Sequence, residues 1–410
     1  MIKTSVNSLL VWIFLIFMSL NFLLSGLAII KREALNFGDE DAYLETAINV
    51  KSGRGFVFYG KNLFNQEKGL GYHPENNRQP LYIMLLSIFA QEDESFRLKA
   101  RVFTLTLGLI FLWIFLSIGK EIFDLPIALG ALFLLSVNST FVAHSAYTGC
   151  EILLSIFTLL SYYYTLKGFK DRKYCLLAGA FAGLAYLTKG SGTLIVMAFC
   201  LSSVIIYKWR VFKDKYFYLY LLAFLAVSSP LLVRNITQFH KPFYDVNTIH
   251  VFWGGKGMWL YLTTTPIVET LYKIWDGIFW FSFFFFKYLS MPFGGHPSYI
   301  WNLTSIFILV LFFLFKDKTE NREGKIFTFS LFATFYLLFS WFCRSVQGYS
   351  PRYILPIFPM IFLYSMEGMR SFAKERNLFE ASRKHLPNIL ILLLTICLTL
   401  RLFLILQRFL

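Results

Sequence analysis

The apolar run Leu9–Ile30, LLVWIFLIFMSLNFLLSGLAII, decides the fold of this chain together with the polar loop that follows it. The run is about 20 residues long, which is the length a helix needs to cross the hydrocarbon core of a bilayer. Its length and the lack of a small-x-small cleavage site after it distinguish it from a secretory signal peptide. We therefore expect a retained first transmembrane helix that leads from the cytoplasm to the outer face.

The composition places the rest of the chain in the membrane as well. Of 410 residues, 57% are hydrophobic and 15% are charged, with a mean hydropathy of +0.57, whereas soluble domains carry about 25% charged residues. The net charge of +15 comes from Lys and Arg in short loops between apolar runs. This is the positive-inside pattern of membrane proteins, so no nucleic-acid partner is expected. The five Cys show no CxxC spacing and predict neither a disulfide framework nor a zinc site.

The lengths of the apolar runs and the charges of the loops between them predict an all-α polytopic protein. Residues 1–410 are expected to form a single integral membrane domain of about 11 transmembrane helices. Two long segments fall on the outer face: 31–101, with interfacial helices, and 235–298. Pro80–Ala90 is too short to cross the bilayer and is placed flat at the interface. Ile274–Ser290 is also placed at the interface. If it crossed the membrane, the basic stretch Lys316–Lys325 would lie on the outer face, against the positive-inside rule.

The polar loop Asn36–Gln79 is the first candidate functional segment. It opens with GDEDAY at positions 38–43, and a long polar loop in so apolar a chain is usually functional. Acidic residues before a helical pattern that stops at Gly53 are also ordinary start and stop signals of a helix. The loop alone therefore leaves both a capped helix start and a reactive carboxylate open.

Charged residues from distant parts of the chain emerge on the outer face in this topology. Outer loops usually carry fewer Lys and Arg than inner ones, so their convergence indicates a site. Each residue also has a structural interpretation, such as an interfacial anchor for Arg78 or an exposed span end for Glu151. The converging residues are Asp39, Arg78, Glu151, Lys189, Arg234, Arg344 and Arg352.

Five short motifs occur in order along the chain. They are Asp39-Glu40 with Tyr43, Arg78-Gln79-Pro80-Leu81-Tyr82, Glu151 at the start of a span, GLAYLTKG at 183–190, and Arg352-Tyr353-Ile354-Leu355-Pro356 with Pro359. Together they resemble the C-type membrane glycosyltransferase superfamily, the group related to protein O-mannosyltransferases and the lipid A aminoarabinose transferase. Two positions depart from the family pattern: Gln79 stands where a proline is usual, and Glu151 where an aspartate is usual. Asn235–Tyr299 matches no motif of the family.

The resemblance implies transfer of a sugar, with inversion, from a polyprenyl-phosphate donor to a hydroxyl or amine of a lipid, glycan or protein acceptor. It places the protein in a bacterial inner membrane, with its active site on the periplasmic face. Asp39 would act as the base or as a metal ligand, with Glu40 as its support or as a metal ligand. The donor phosphate would be bound by Arg78, Lys189, Arg352 and Arg344, and Tyr43, Tyr82, Glu151 and Tyr353 would support the site or contact substrate. The carboxylates suit a hard divalent metal cation, but no ligand set is assigned.

Other functions remain open at this stage. A transporter or flippase of lipid-linked sugars is the main alternative, and it would be expected to keep ionisable groups in mid-membrane and to show repeat symmetry. An O-antigen ligase or polymerase would be expected to carry a large late periplasmic loop. A non-catalytic scaffold is a further alternative. The unmatched segment 235–298 is assigned to acceptor recognition.

Overall fold

A computed structural model describes residues 7–31, 39–60, 71–93, 95–244, 268–269, 271–272, 275–280, 282, 322–346, 351–375 and 386–406 of the protein. These ranges contain the helices α1 (Ser8–Lys31), α2 (Asp39–Lys51), α3 (Pro80–Ser87), α4 (Ser95–Ile122), α5 (Leu125–Val137), α6 (Ser139–Ser145), α7 (Glu151–Lys170), α8 (Tyr174–Thr188), α9 (Thr193–Tyr207), α10 (Lys215–Phe239), α11 (Arg322–Val346), α12 (Phe358–Glu375) and α13 (Leu386–Leu406). Short 3-10 turns lie at Gly190–Gly192, Lys208–Lys213, Pro351–Tyr353 and Leu355–Ile357. Strands β1 (Val57–Gly60) and β2 (Gly71–Pro74) form an antiparallel hairpin that pairs Val57 with Pro74.

Six stretches of the described chain are helical, long and apolar enough to cross a membrane. They are α1, α4, α7, α10, Gly190–Lys213 around α9, and Asn388–Ile405 within α13, and the bent pair α5–α6 adds a seventh if it is one span. The protein is therefore an all-α polytopic membrane protein, as the sequence predicted. The number of 11 spans stays a prediction, because the expected span 299–315 lies outside the described residues. The same holds for the placement of 274–290, of which only 275–280 and 282 are described.

Two predicted spans are interrupted where the backbone cannot continue a helix. The span expected at Leu125–Ala143 bends by 66° between α5 and α6, because the Asn138 side chain accepts a hydrogen bond from the Phe141 N–H and caps a new helix. The segment Tyr353–Ser365 begins with 3-10 turns, and α12 starts only at Phe358. Pro356 lacks an N–H group and so favours a break at this point.

Helices α2 and α3 pack on the ends of α4 and α7 through a small hydrophobic cluster of their own. It includes Tyr43, Ala47, Tyr82, Ile83 and Leu86, all less than one-tenth exposed. The rings of Tyr43 and Tyr82 meet edge to face, with centroids 5.4 Å apart. This cluster fixes α2, and with it the first acidic turn, against the helical bundle.

A buried ion pair anchors the first turn of α2. Glu40 is 1% exposed, and Arg101 of α4 donates to its Oε1 and Oε2 atoms at 2.9 and 2.7 Å. The Thr148 N–H and hydroxyl donate to Oε1 at 3.2 and 2.6 Å. Burial raises the pKa of Glu40, but these hydrogen bonds lower it by more, so the pKa lies below its ordinary value and the side chain is a carboxylate at neutral pH.

We expect Arg101→Met to lower the free energy of unfolding by about 3 kcal/mol, because Glu40 would remain as a buried charge without its bidentate partner. Arg97 also approaches Glu40, at 3.5 Å, but its side chain is 40% exposed. The matched control Arg97→Met should therefore cost about 1 kcal/mol or less. Denaturant unfolding of the purified protein in detergent measures both variants, and equal losses would contradict a dominant role for Arg101.

Candidate functional site

A pocket of about 310 Å³ opens where α2, α3, α7 and the loop after α8 meet the turn Pro351–Tyr353. Its volume lies at the lower end of the range of small-molecule sites, about 300–1,000 Å³. The pocket is lined by Asp39, Tyr43, Asn77, Arg78, Gln79, Glu151, Tyr186, Lys189, Gly190, Ser191, Thr193, Phe243, Leu338, Phe339, Arg352 and Tyr353. Seven residues that the sequence predicted are thus brought together, from segments more than 300 positions apart.

Asp39 is the first residue of α2 and lies between two arginines. Arg78 Nη2 donates to its Oδ1 at 3.1 Å, and Arg352 Nη1 donates to its Oδ2. Its side chain is 39% exposed. Burial raises the pKa of Asp39, but Arg352, and after it Arg78 and Lys189, lower that pKa by more, so it lies below its ordinary value. Asp39 is therefore an ionised carboxylate at neutral pH.

Arg78 is held by the segment that joins the hairpin to α3. Glu75 directly follows β2, and its Oε1 accepts hydrogen bonds from the N–H groups of Asn77 and Arg78 at 2.9 and 3.1 Å. Its Oε2 lies 3.4 Å from Arg78 Nη1, and the Arg78 guanidinium lies 5.4 Å from the centre of the Tyr43 ring. Pro80 then starts α3. These contacts fix the direction in which Arg78 points.

Glu151 and Lys189 form a second ion pair on the wall of the pocket. Glu151 begins α7, and Lys189 Nζ donates to its Oε1 at 2.8 Å. The backbone turns sharply after Lys189: a Cβ on Gly192 would lie 2.3 Å from the carbonyl carbon of Ala185, so glycine is required. Burial lowers the pKa of Lys189, but Glu151 raises it by more, so Lys189 keeps its positive charge.

The pocket wall is arranged to accept an anion. Three cations, Arg78, Lys189 and Arg352, line it together with two carboxylates. The Nε atoms of Arg78 and Arg352 are buried and have no hydrogen-bond acceptor among the described residues. Buried donors without acceptors are rare in proteins. An oxyanion would supply the missing acceptors, and guanidinium groups match phosphate oxygens in a bidentate geometry.

Two predicted site residues that the structure describes, Glu40 and Tyr82, do not line the pocket. Glu40 is bound to Arg101 and Thr148, an arrangement that fits its predicted support of Asp39 and does not fit a metal ligand. Tyr82 is fully buried, with its hydroxyl 2.6 Å from Thr104 Oγ1, so it packs inside the protein rather than contacting a substrate. Arg344 lies in α11, and its side chain is outside the described part of the chain.

Several residues that the structure places in or behind the site were not predicted from the sequence. Glu75, Arg101 and Thr148 hold the charged groups in position. A signal for Arg101 was present, because a carboxylate next to an apolar bundle needs a cation and Arg101 precedes an apolar run. The pocket residues missed are Asn77, Gln79, Tyr186, Gly190, Ser191, Thr193, Phe243, Leu338 and Phe339.

The described carboxylates do not form a metal site in this arrangement. Within the described ranges, no three His, Cys, Asp or Glu residues come close enough together to hold a metal ion. Asp39 is bound by two arginines, Glu40 by Arg101, and Glu151 by Lys189. A divalent cation would have to displace at least one of these positive groups.

Comparisons with known proteins agree with the fold and with the motifs. The family of dolichyl-phosphate-mannose-protein mannosyltransferases matches residues 77–233, which is less than half of the chain. No protein among those of curated function matches the chain.

Two solved structures have a similar fold. The first is ArnT from Cupriavidus metallidurans bound to undecaprenyl phosphate, with a TM-score of 0.57 and 15% identity, covering 88% of this chain and 61% of that one. The second is the archaeal oligosaccharyltransferase AglB from Archaeoglobus fulgidus in complex with an inhibitory peptide and a dolichol-phosphate, with a TM-score of 0.54 and 13% identity, covering 94% of this chain and 55% of that one. The chain thus spans less than two thirds of either protein. The family match and the two folds together confirm the resemblance to the C-type membrane glycosyltransferase superfamily that the motifs predicted.

Proposed function

We propose that the protein is a membrane glycosyltransferase that moves a sugar from a polyprenyl-phosphate donor to a hydroxyl or amine of an acceptor, with inversion. The observation that carries the proposal is the meeting of Asp39 with Arg78, Lys189 and Arg352 in one pocket. A carboxylate facing several cations offers a proton acceptor beside an anion site. The relatives of similar fold were solved with undecaprenyl phosphate and a dolichol-phosphate, respectively, which supports a lipid phosphate as the anion.

Asp39 is the proposed base. The acceptor oxygen or nitrogen attacks the anomeric carbon, a new bond to that carbon forms, and the bond from carbon to the phosphate oxygen breaks with its electron pair left on the phosphate. Asp39 takes the proton that the acceptor loses, which requires only that the carboxylate lie within hydrogen-bond reach. Because the acceptor enters opposite the leaving phosphate in a single displacement, the anomeric configuration is inverted.

Arg78, Arg352 and Lys189 are the proposed phosphate-binding groups. The leaving lipid phosphate gains negative charge as the glycosidic bond breaks, so fixed cations stabilise the transition state more than the ground state. Glu151 keeps Lys189 in place on the pocket wall, since it accepts a hydrogen bond from Nζ at 2.8 Å. The Arg352 guanidinium lies 5.3 Å from the centre of the Tyr353 ring, which limits its orientations.

The setting and the acceptor belong to the same proposal. We assign the protein to a bacterial inner membrane with the pocket on the periplasmic face, where a lipid, glycan or protein would serve as acceptor. The segment 235–298 is proposed to select the acceptor, and most of it lies outside the described residues. A divalent metal is not assigned a role, because the charged side chains of the pocket are paired with one another.

Asp39→Asn should abolish sugar transfer while membrane insertion and the amount of protein stay normal, because an amide cannot accept the proton. The measurement is release of polyprenyl phosphate from a radiolabelled lipid-linked sugar pool in membranes that contain the variant. Asp41→Asn is the matched control, because Asp41 lies in the same helical turn but pairs with Arg97 and does not line the pocket. Full activity of the Asp39→Asn protein would remove Asp39 from the mechanism.

Arg352→Gln should slow transfer by a factor of about 100 to 1,000, the usual cost of removing one donor from an oxyanion site. Arg352→Lys should retain part of the activity, because it keeps the charge and loses the bidentate geometry. Arg370→Gln is the control, since Arg370 pairs with Asp124 and Glu367 away from the pocket. Initial rates at saturating donor test the series, and equal rates for Arg352→Gln and Arg370→Gln would contradict the assignment.

A further inference from the structure

Within the described part of the chain, three cations line the pocket, and each is bound to a carboxylate. Arg352 binds Asp39, Arg78 binds both Asp39 and Glu75, and Lys189 binds Glu151. If these cations hold a donor phosphate, the phosphate must compete with carboxylates for them. The structure indicates which carboxylate would lose its cation to the phosphate.

The three carboxylates differ in how much their release would cost. Glu75 is 1% exposed and Glu151 is 7% exposed, whereas the side chain of Asp39 is 39% exposed. Removing a cation from a buried carboxylate leaves an unpaired charge that water cannot reach, which is strongly unfavourable. A partly exposed carboxylate regains hydration when its partner leaves, so its ion pairs are weak. The pairs to Asp39 are therefore the ones that open.

The arginines have unused hydrogen-bonding capacity for the exchange. Each reaches Asp39 through a single terminal nitrogen, Nη2 of Arg78 and Nη1 of Arg352. The Nε–H group of each is buried and has no acceptor among the described residues. One phosphate oxygen can accept from Nε while a second oxygen accepts from a terminal nitrogen, a bidentate contact that is stronger than one hydrogen bond to a partly hydrated carboxylate.

We propose that a phosphate group entering the pocket takes Arg78 and Arg352 from Asp39 and thereby releases the carboxylate that accepts the acceptor's proton. This inference rests on the proposed function and adds an order to it: the donor binds first, and its phosphate activates the base. Until then each oxygen of Asp39 accepts a hydrogen bond from a guanidinium group, which leaves the carboxylate fewer lone pairs for an acceptor hydroxyl.

The exchange also changes the strength of the base. Two arginines hold the pKa of Asp39 below its ordinary value, although burial alone raises it. A carboxylate with a lowered pKa is a weaker proton acceptor. Loss of the two guanidinium contacts to a phosphate removes the largest of the effects that lower the pKa of Asp39, so this pKa rises. The carboxylate becomes a better base at the moment when the sugar is in position.

The test measures binding of undecaprenyl phosphate, without a sugar, to the purified full-length protein in lipid nanodiscs. If Asp39 and the phosphate compete for the same arginines, Asp39→Asn should bind this lipid about three- to tenfold more tightly than the native protein, as expected for the loss of two partly exposed ion pairs. Asp39→Glu keeps the competing charge and should bind close to the native affinity. Asp39→Ser serves as a second neutral variant if the Asp39→Asn protein fails to give a single peak in gel filtration.

The control for net charge is Asp41→Asn, which removes a carboxylate from the same helical turn. Asp41 binds Arg97 at 2.6 Å and lies outside the pocket lining, so its removal should leave the affinity unchanged. Equal tightening by Asp39→Asn and Asp41→Asn would mean that only the net charge matters, and would overturn the exchange. Unchanged or weaker binding by the neutral variants at position 39 would overturn it as well.

The outcomes separate this inference from the proposed function. If Asp39→Asn abolishes sugar transfer but does not tighten lipid binding, the transferase assignment stands and the exchange of partners is wrong. If the native protein does not bind undecaprenyl phosphate or a polyprenyl phosphate of another chain length, both are wrong. Tighter binding together with lost transfer supports both.

Discussion

A carboxylate that lies beside an apolar medium needs a positively charged partner. This constraint determines which segments of the structure are joined. Asp39 begins α2, Arg78 precedes α3, and Arg352 precedes α12, so their ion pairs join three segments that are far apart in the chain. These ion pairs hold α2 against the helical bundle, because a charge that is paired can lie near hydrocarbon at a lower cost than an isolated one. The pocket is the space that remains among these charges.

The ion pairs of the site form two groups with different physical roles. Glu40 with Arg101, Glu75 with Arg78 and Glu151 with Lys189 each contain a carboxylate less than one-tenth exposed. Opening any of them would leave a buried charge, so they fix geometry. The pairs to Asp39 are partly hydrated and can exchange partners. Rigid pairs therefore surround one adaptable group, an arrangement that keeps Asp39 in place while its own partners can change.

Much of the fold and of the site could be predicted because both leave local signals. Apolar runs predicted α1, α4 and α7, and motif order along alternating spans predicted that Asp39, Lys189 and other lining residues would meet. Features that depend on packing gave only indirect signals. Arg101 was placed at the end of the outer segment 31–101, yet α4 begins at Ser95, so Arg101 lies inside the helix and is buried against Glu40. Hydropathy identifies apolar stretches of a helix, but it cannot show that a charged helical turn is buried by other segments. The hairpin was missed because four-residue strands show no clear alternation.

The position of the charged residues on their helices distinguishes between the functions that the sequence left open. Asp39 and Glu151 are the first residues of α2 and α7, and Lys189 directly follows α8. Carboxylates at helix N-termini are stabilised by the unpaired N–H groups there, in addition to the cations that pair with Asp39 and Glu151. A transporter would be expected to place its ionisable groups in the middle of spans, where they can face either side. Charges fixed at helix ends instead create a site at one end of the bundle, as the proposed transfer from a lipid phosphate to a polar acceptor requires. That geometry favours transfer of a group between two substrates over passage of one substrate across the membrane.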